Sequence, residues 1–186
     1  HIELDTKTKL FCSCPTKGSE EPNTRTCTIC LGMPGSKPVL NSKALEFALK
    51  LCMALECEIA PELIFSRKSY FYPDLAKNFQ ITQYEAPLGY QGNFKGIKIR
   101  RIHLEEDPGA LIHKTSYCLV DYNRSGIPLV EIVTEPDFKD PKEVREFLKK
   151  LITDLSYLDV YDKKSEFALK ADLNVSTTGA RVEIKN

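Results

Sequence analysis

The chain has no run of apolar residues close to the roughly 18 that a helix needs to cross a bilayer, so its 186 residues predict no membrane span. It has no excess of charge either, because 26 Lys and Arg balance 26 Asp and Glu. A surface that is basic all round and binds nucleic acid without specificity is therefore not expected.

The first residues have neither the basic nor the apolar region of a signal peptide, which favours a cytoplasmic protein. The missing initiator methionine and a strand-like end predict a fragment of a longer protein.

Two common nucleotide-binding motifs are absent as well. The sequence contains neither GxGxxG nor the Walker pattern GxxxxGK[ST]. If the protein binds a nucleotide, it uses another route. What is present is globular: 42% of the residues are hydrophobic and 28% are charged, which argues against disorder.

The apolar spacing predicts two helices, one over about 42–57 and one that starts after a cap at Asp140. In the segment 97–106 the alternation of apolar residues slips at Arg100 and Arg101, which indicates a bulge in a strand. Further strands are predicted at 63–71, 117–122 and 128–135, with a hairpin over 169–184. Strands joined by turns, without βαβ alternation, predict an α+β fold with an antiparallel β-sheet and flanking helices.

Four of the seven cysteines lie in one short segment with CxC and CxxC spacing, and they are Cys12, Cys14, Cys27 and Cys30. This spacing predicts a structural Zn²⁺ site in a small knuckle over 10–35, because four thiolates leave no open position on the metal. Two disulfides, or cysteines that are merely buried, are the alternatives, and disulfides are rare in the cytosol. Cys52, Cys57 and Cys118 lie among apolar residues and are predicted to pack in the core.

Glu131 is the most informative single position, because it interrupts the apolar segment 129–133 (LVEIV). An ionised carboxylate in such a strand is strongly penalised by desolvation unless it binds a cation or is neutralised. A cation site is one interpretation. An ion pair with Arg101, Arg124 or Arg181 is the other.

A second acidic group, 105–107 (EED), ends the strand 97–106. Neighbours on a strand point to opposite faces, so only one of Glu105 and Glu106 can face Glu131. His1 adds a nitrogen ligand at the start of another strand. Carboxylates from separate strands hold Mg²⁺ when phosphate completes its coordination shell, so these residues predict a magnesium site.

Arg67 and Lys68 stand next to an aromatic run at 70–72 (YFY). Basic groups beside stacking surfaces suit the end of a single-stranded RNA. The same aromatic residues could equally belong to the core.

Many segments, in the right order and across nearly the whole chain, resemble one family: 1–4 (HIEL), 30–35 (CLGMPG), 67–75 (RKSYFYPDL), 101–107 (RIHLEED), 119–126 (LVDYNRSG), 128–137 (PLVEIVTEPD), 172–176 (DLNVS) and 181–186 (RVEIKN). The chain resembles the B subunits of glutamine-dependent aspartyl/glutamyl-tRNA amidotransferases. No single segment would suffice, but their order makes the resemblance specific.

The resemblance implies a ligase of protein biosynthesis that works on tRNA. Such a protein would use ATP and Mg²⁺ to phosphorylate the side-chain carboxylate of Glu or Asp on misacylated tRNA(Gln) or tRNA(Asn). Ammonia that the amidase, the family's A subunit, releases from glutamine would then displace the phosphate, and a small C subunit would complete the hetero-oligomer. The family's cradle domain has an antiparallel sheet akin to glutamine synthetase, which would bind ATP without a P-loop.

The resemblance also assigns residues. Matching motifs place the magnesium ligands on His1, Glu106 and Glu131, with Glu105 close by as a further catalytic carboxylate. Arg67, Lys68 and Arg124 are the candidates for phosphate or tRNA contacts. Residues 1–186 would be the cradle domain, and the family's helical and tail domains would lie beyond it. Two alternatives remain: the E subunit of the archaeal Glu-tRNA amidotransferase, and a zinc-ribbon module that binds RNA without catalysis.

Overall fold

The computed structural model describes residues 1–165 and 168–184, so residues 185 and 186 of the last resembling segment lie outside it. Its helices are α1 (Ser42–Ala54) and α2 (Pro141–Leu158). Its strands are β1 (Ile2–Glu3), β2 (Glu58–Ile59), β3 (Ser66–Ser69), β4 (Phe79–Thr82), β5 (Gly89–Phe94), β6 (Ile97–Glu106), β7 (Ala110–His113), β8 (Cys118–Asp121), β9 (Pro128–Thr134), β10 (Leu173–Val175) and β11 (Val182–Ile184).

Five strands form one sheet in the order β1-β9-β6-β5-β2, and every neighbouring pair is antiparallel. Three separate hairpins, β3–β4, β7–β8 and β10–β11, accompany this sheet. The predicted α+β class with an antiparallel sheet and two helices is confirmed. The likeness to glutamine synthetase stays a prediction. Neither helix is long and apolar enough to cross a membrane.

Local signals explain both helices. The Asp140 side chain accepts a hydrogen bond from the Lys142 amide at 2.6 Å and caps α2, with Pro141 at the first helical position. Asn41 caps α1 by accepting from two amides of the first turn. The prediction placed the end of this helix near residue 57, but α1 ends at Ala54, because Glu56 has a left-handed φ of 53° that a helix cannot continue through.

The slip in the apolar pattern of β6 is a real irregularity, because its register on β9 shifts between Ile99 and Arg101. Beyond the shift, Ile102 and Leu104 are fully buried and share one face with Val130 of β9. Residues at alternate positions therefore lie on the opposite face.

The two helices cover the apolar face of the sheet, and the core is built from their buried side chains and those of the strands: Phe47, Leu51 and Leu55; Phe147, Leu151 and Leu155; and Ile2, Ile102, Leu104 and Val130. Cys52 belongs to this core, as predicted. The same prediction was wrong for Cys118, which is exposed on β8 because the β7–β8 hairpin keeps its apolar residues partly in solvent.

Candidate functional site

The opposite face of the sheet carries the polar residues that the sequence singled out. His103 on β6 lies directly opposite Glu131 on β9, and Glu105 lies opposite Leu129. Cross-strand partners share a face, so the side chains of His103, Glu105 and Glu131 converge. His1 directly precedes β1, which pairs with the other edge of β9.

Four side chains meet at this point. The Nε2 atom of His103 lies 2.9 Å from Oε2 of Glu131 and 3.0 Å from Oε1 of Glu105. The Nε2 atom of His1 lies 3.5 Å from Oε1 of Glu131 and 3.7 Å from Oε2 of Glu105. The ligand atoms that His1, Glu105 and Glu131 offer all lie within 4.8 Å of one another, so one divalent cation could be held by these three residues.

The alternative interpretation of Glu131, an ion pair with an arginine, is not found among the described residues. Among the described residues no arginine or lysine forms an ion pair with its carboxylate, which contacts His1 and His103 instead. The Glu131 side chain is 26% exposed, so a ligand can reach part of it.

Glu106 is not brought together with His1 and Glu131, and Glu105 takes the position that the family motif suggested for Glu106. Alternation along β6 turns the buried Glu106 side chain away, where it forms an ion pair with Lys77. Glu105 stays on the site face, where Thr82 donates a hydrogen bond to its Oε1 at 2.7 Å.

Glu131 and His103 shift each other's pKa. Burial, the largest single influence, would raise the pKa of Glu131, but the hydrogen bond from His103 and the positive charges of His103, Arg101 and the chain amino terminus together hold that pKa below its usual value. For His103, burial acts to lower the pKa, and the hydrogen bonds to Glu105 and Glu131 raise it above the usual range. The structure therefore favours a cationic His103 imidazole beside an ionised Glu131 carboxylate.

His103 is the residue that sequence reasoning missed. The residue is 1% exposed, and its Nδ1 atom has no hydrogen-bond partner among the described residues. The available signal was its position two residues before Glu105 on one strand, since such residues share a face.

The basic residues Arg67 and Lys68 lie exposed on β3, at the surface as expected. The Arg67 guanidinium stands 5.0 Å from the centre of the Phe79 ring. Phe71 is 85% exposed and Tyr72 is 52% exposed, so these two aromatic residues do not belong to the core. Exposed rings beside cations remain available for stacking.

Arg124 supports a loop. Its Nε atom lies 3.2 Å from Oδ2 of Asp107 and donates to the Pro108 carbonyl, and a terminal nitrogen donates to the Gly109 carbonyl. Burial raises the pKa of Asp107 to about 7, although the Arg124 charge acts in the opposite direction. A phosphate contact by Arg124 stays a prediction.

The four knuckle cysteines come together as their spacing predicts. All seven cysteines lie within the described residues and none forms a disulfide. The sulfur atoms of the knuckle cysteines lie within 4.8 Å of one another, so the group could bind zinc: Cys12, Cys14, Cys27 and Cys30. Hydrogen bonds, chiefly from Cys12, lower the pKa of Cys30 to about 4, and burial raises that of Cys14 to about 11.

The structure is thus an α+β domain with two groups of side chains that could each hold a metal ion, one of histidine and glutamates and one of the knuckle cysteines. The chain belongs to the GatB/GatE catalytic domain family, whose model matches residues 1–186. It is 54% identical over 201 residues to the B subunit of the aspartyl/glutamyl-tRNA(Asn/Gln) amidotransferase of Methanospirillum hungatei, with all of this chain and 42% of the relative covered. The B subunit of the Moorella thermoacetica enzyme is 48% identical over 206 residues, with 100% of this chain and 43% of the relative covered. The chain thus spans about two fifths of the length of these relatives.

Proposed function

We propose that this chain is the phosphorylating part of the B subunit of a tRNA-dependent amidotransferase. The carboxylate of Glu or Asp on misacylated tRNA(Gln) or tRNA(Asn) attacks the γ-phosphorus of ATP, and ADP leaves. Ammonia from glutamine then attacks the carbonyl carbon of the acyl phosphate, and inorganic phosphate leaves as the amide forms. The amidase, or A subunit, would supply the ammonia, and the small C subunit would complete the cytoplasmic complex.

The observation that carries this proposal is the group formed by His1, Glu105 and Glu131. Two carboxylates and one imidazole on a partly open sheet face fit a hard divalent cation better than a structural ion pair. Bound Mg²⁺ would offset the negative charge that accumulates when a phosphoryl group meets an incoming carboxylate. His103 keeps both glutamates turned toward this point.

Further donors line the same face. Arg101 lies two residues before His103, and its buried Nε atom has no hydrogen-bond partner among the described residues. An unpartnered buried donor favours an acceptor such as a phosphate oxygen. We assign Arg67 and Lys68, with the exposed ring of Phe71, to the tRNA end.

Zn²⁺ at the knuckle has a structural part in this proposal. Four sulfur ligands fill a tetrahedral zinc ion and leave no position for a substrate. The knuckle would then stiffen the loops beside the carboxylate group without taking part in the chemistry.

The test uses the full-length protein assembled with its amidase and small partner proteins, and it measures ADP release triggered by Glu-tRNA(Gln). Glu131→Gln removes the carboxylate charge at nearly constant volume, and we expect ADP release to fall to background. Glu135→Gln is the matched control, because Glu135 lies just beyond the same strand but pairs with Arg100 at the surface. Wild-type ADP release from the Glu131 variant would refute the assignment.

The two alternatives, a zinc-ribbon module and an E subunit, predict different results. A zinc-ribbon module that only binds RNA would release no ADP at all, and its RNA binding would survive the change at Glu131. An E subunit would act on Glu-tRNA(Gln), so amidation of Asp-tRNA(Asn) would exclude it. The four-cysteine knuckle favours the B type.

A further inference from the structure

Lys9 is a fully buried lysine next to the cysteine knuckle. Its side chain is 0% exposed. Its ammonium group donates to the Arg25 carbonyl at 2.7 Å and to the Tyr122 carbonyl at 3.3 Å, and its Nζ atom lies 3.8 Å from the Cys30 sulfur. Lysine is almost never fully buried without a charged partner.

The charge of Lys9 has no carboxylate partner. Among the described residues, no Asp or Glu forms an ion pair with it within 4.0 Å. Burying an ammonium group without an anion carries a large desolvation penalty, and carbonyl dipoles offset only part of it. Among the contacts of Lys9 with the described residues, the Cys30 sulfur alone can carry negative charge. Four thiolates around one Zn²⁺ have a net charge of −2, so a tetrathiolate centre and a buried lysine compensate each other.

Lys9 also joins two parts of the chain. The carbonyl of Arg25 belongs to the knuckle, whereas that of Tyr122 belongs to the segment 122–127 that leads into β9. The next residue strengthens this joint, because the Leu10 amide donates to the Gly126 carbonyl at 2.8 Å. β9 is the strand that carries Glu131.

We propose that Lys9 is the counter-cation of a tetrathiolate zinc centre, a positioning residue that strengthens zinc binding through Cys30 and fastens the knuckle to the segment before β9. This inference rests on the zinc site proposed above. It does not depend on the phosphorylation chemistry.

The test compares zinc affinity in the full-length protein by competition with a chelator. Lys9→Met keeps the length of the side chain and removes the charge, and Lys9→Arg keeps the charge. Lys7→Met is the matched control, because Lys7 lies two residues away and is exposed. Residues that support metal ligands typically change affinity by about 10- to 100-fold, and we expect a loss of that size for Lys9→Met, recovery in Lys9→Arg and no change in Lys7→Met.

A spectroscopic measurement separates this role from simple packing. With Co²⁺ in place of Zn²⁺, removal of the ammonium raises the energy of the sulfur lone pairs. The sulfur-to-cobalt charge-transfer band of Lys9→Met should therefore move to longer wavelength, while that of Lys9→Arg stays near its wild-type position. An unchanged band together with unchanged zinc affinity in a folded Lys9→Met protein would overturn the inference.

Wild-type protein provides a check if Lys9→Met does not fold. We expect a small amine-acylating reagent to leave Lys9 unmodified in zinc-loaded protein and to modify it once the metal is stripped. Equal labelling in both states would overturn the inference. Failure of the wild-type protein to bind zinc would refute the zinc site itself. Zinc binding by the wild type with an affinity that does not change when Lys9 is replaced would refute only the role of Lys9.

Discussion

His103 on β6 lies directly opposite Glu131 on β9, with 2.9 Å between the imidazole Nε2 atom and the Oε2 atom of the carboxylate. The same nitrogen is 3.0 Å from Glu105 two residues further along β6. One buried imidazole thus holds two carboxylates that would otherwise repel each other. The register of β6 on β9 therefore arranges the side chains of the site.

The position of Glu105 predicts that it is Glu105, and not Glu106, that binds the divalent cation. We expect Glu105→Gln to weaken Mn²⁺ binding by about tenfold or more, in line with the effect of losing even a supporting contact at a metal site. Glu106→Gln should leave Mn²⁺ affinity nearly unchanged. Titration of Mn²⁺ followed by electron paramagnetic resonance measures both.

Glu106→Gln should instead lower the stability of the fold. Glu106→Gln leaves the ammonium of Lys77 buried without its anion, and loss of one partner of a buried pair costs about 3–5 kcal/mol. Urea unfolding should report this cost, and the double variant with Lys77→Met should recover part of it.

If Glu106→Gln loses Mn²⁺ binding and Glu105→Gln keeps it, the family motif and not the sheet geometry has identified the ligand.

His103→Leu should make the fold depend on divalent cations. The variant removes the hydrogen-bond donor between Glu105 and Glu131, and an unsatisfied buried charge-assisted bond costs about 1–3 kcal/mol. A bound cation can take over the lost positive charge, so Mg²⁺ or Mn²⁺ should restore more stability to the variant than to the wild type. Thermal unfolding with and without the metal checks this expectation. An equal effect of metal on both proteins would contradict it.

The raised pKa of Asp107 predicts that the free energy of unfolding falls as the pH rises. Burial raises its pKa from 3.8 to about 7 in the folded protein, so between these values the folded state keeps a proton that the unfolded state has lost. The free energy of unfolding then decreases with pH, by at most about 1.4 kcal/mol per pH unit for one proton. Asp107→Asn should remove this slope between pH 4 and pH 7.

Urea titrations at several pH values measure the slope at Asp107 as a difference between variant and wild type, which cancels the other ionisable groups. Glu58→Gln, at an exposed position on β2, serves as the control and should keep the wild-type slope. A wild-type slope in Asp107→Asn would mean that the Arg124 ion pair cancels the effect of burial on the Asp107 pKa.

The helices could be predicted because their signals are local, whereas β4 is one of the strands that were not predicted, because its apolar pattern is inverted. The cap at Asp140 needs only its own neighbours in the chain. On β4, by contrast, the buried residues are the polar ones, Gln80 and Thr82, which bind the end of β6 through the Glu106 carbonyl and the Glu105 carboxylate. Apolar periodicity cannot reveal a strand whose inward face is polar.

The residues of the candidate site also divide into those that the sequence could reveal and those that it could not. Glu131 could be found from sequence, because one charge in an apolar strand is conspicuous. The choice between Glu105 and Glu106 depends on the register of β6 against β9, which no single-strand pattern specifies. His103 required the same register, because its spacing from Glu105 places both residues on one face of β6 but does not bring that face to Glu131.

Gly32 of the knuckle packs against the side chain of Lys77, which pairs with Glu106. It has a φ of +68°, and a Cβ atom added there would collide with Cγ of Lys77. Gly35 has a similar φ of +81° but nothing within 4 Å of an added Cβ atom. Both alanine variants bear the cost of a left-handed backbone, about 1–2 kcal/mol, and only Gly32→Ala also displaces Lys77 from Glu106. We expect Gly32→Ala to lose clearly more stability in urea than Gly35→Ala, and the excess should shrink when Lys77→Ala is introduced as well. Equal losses would mean that the lysine stem moves aside without disturbing its ion pair.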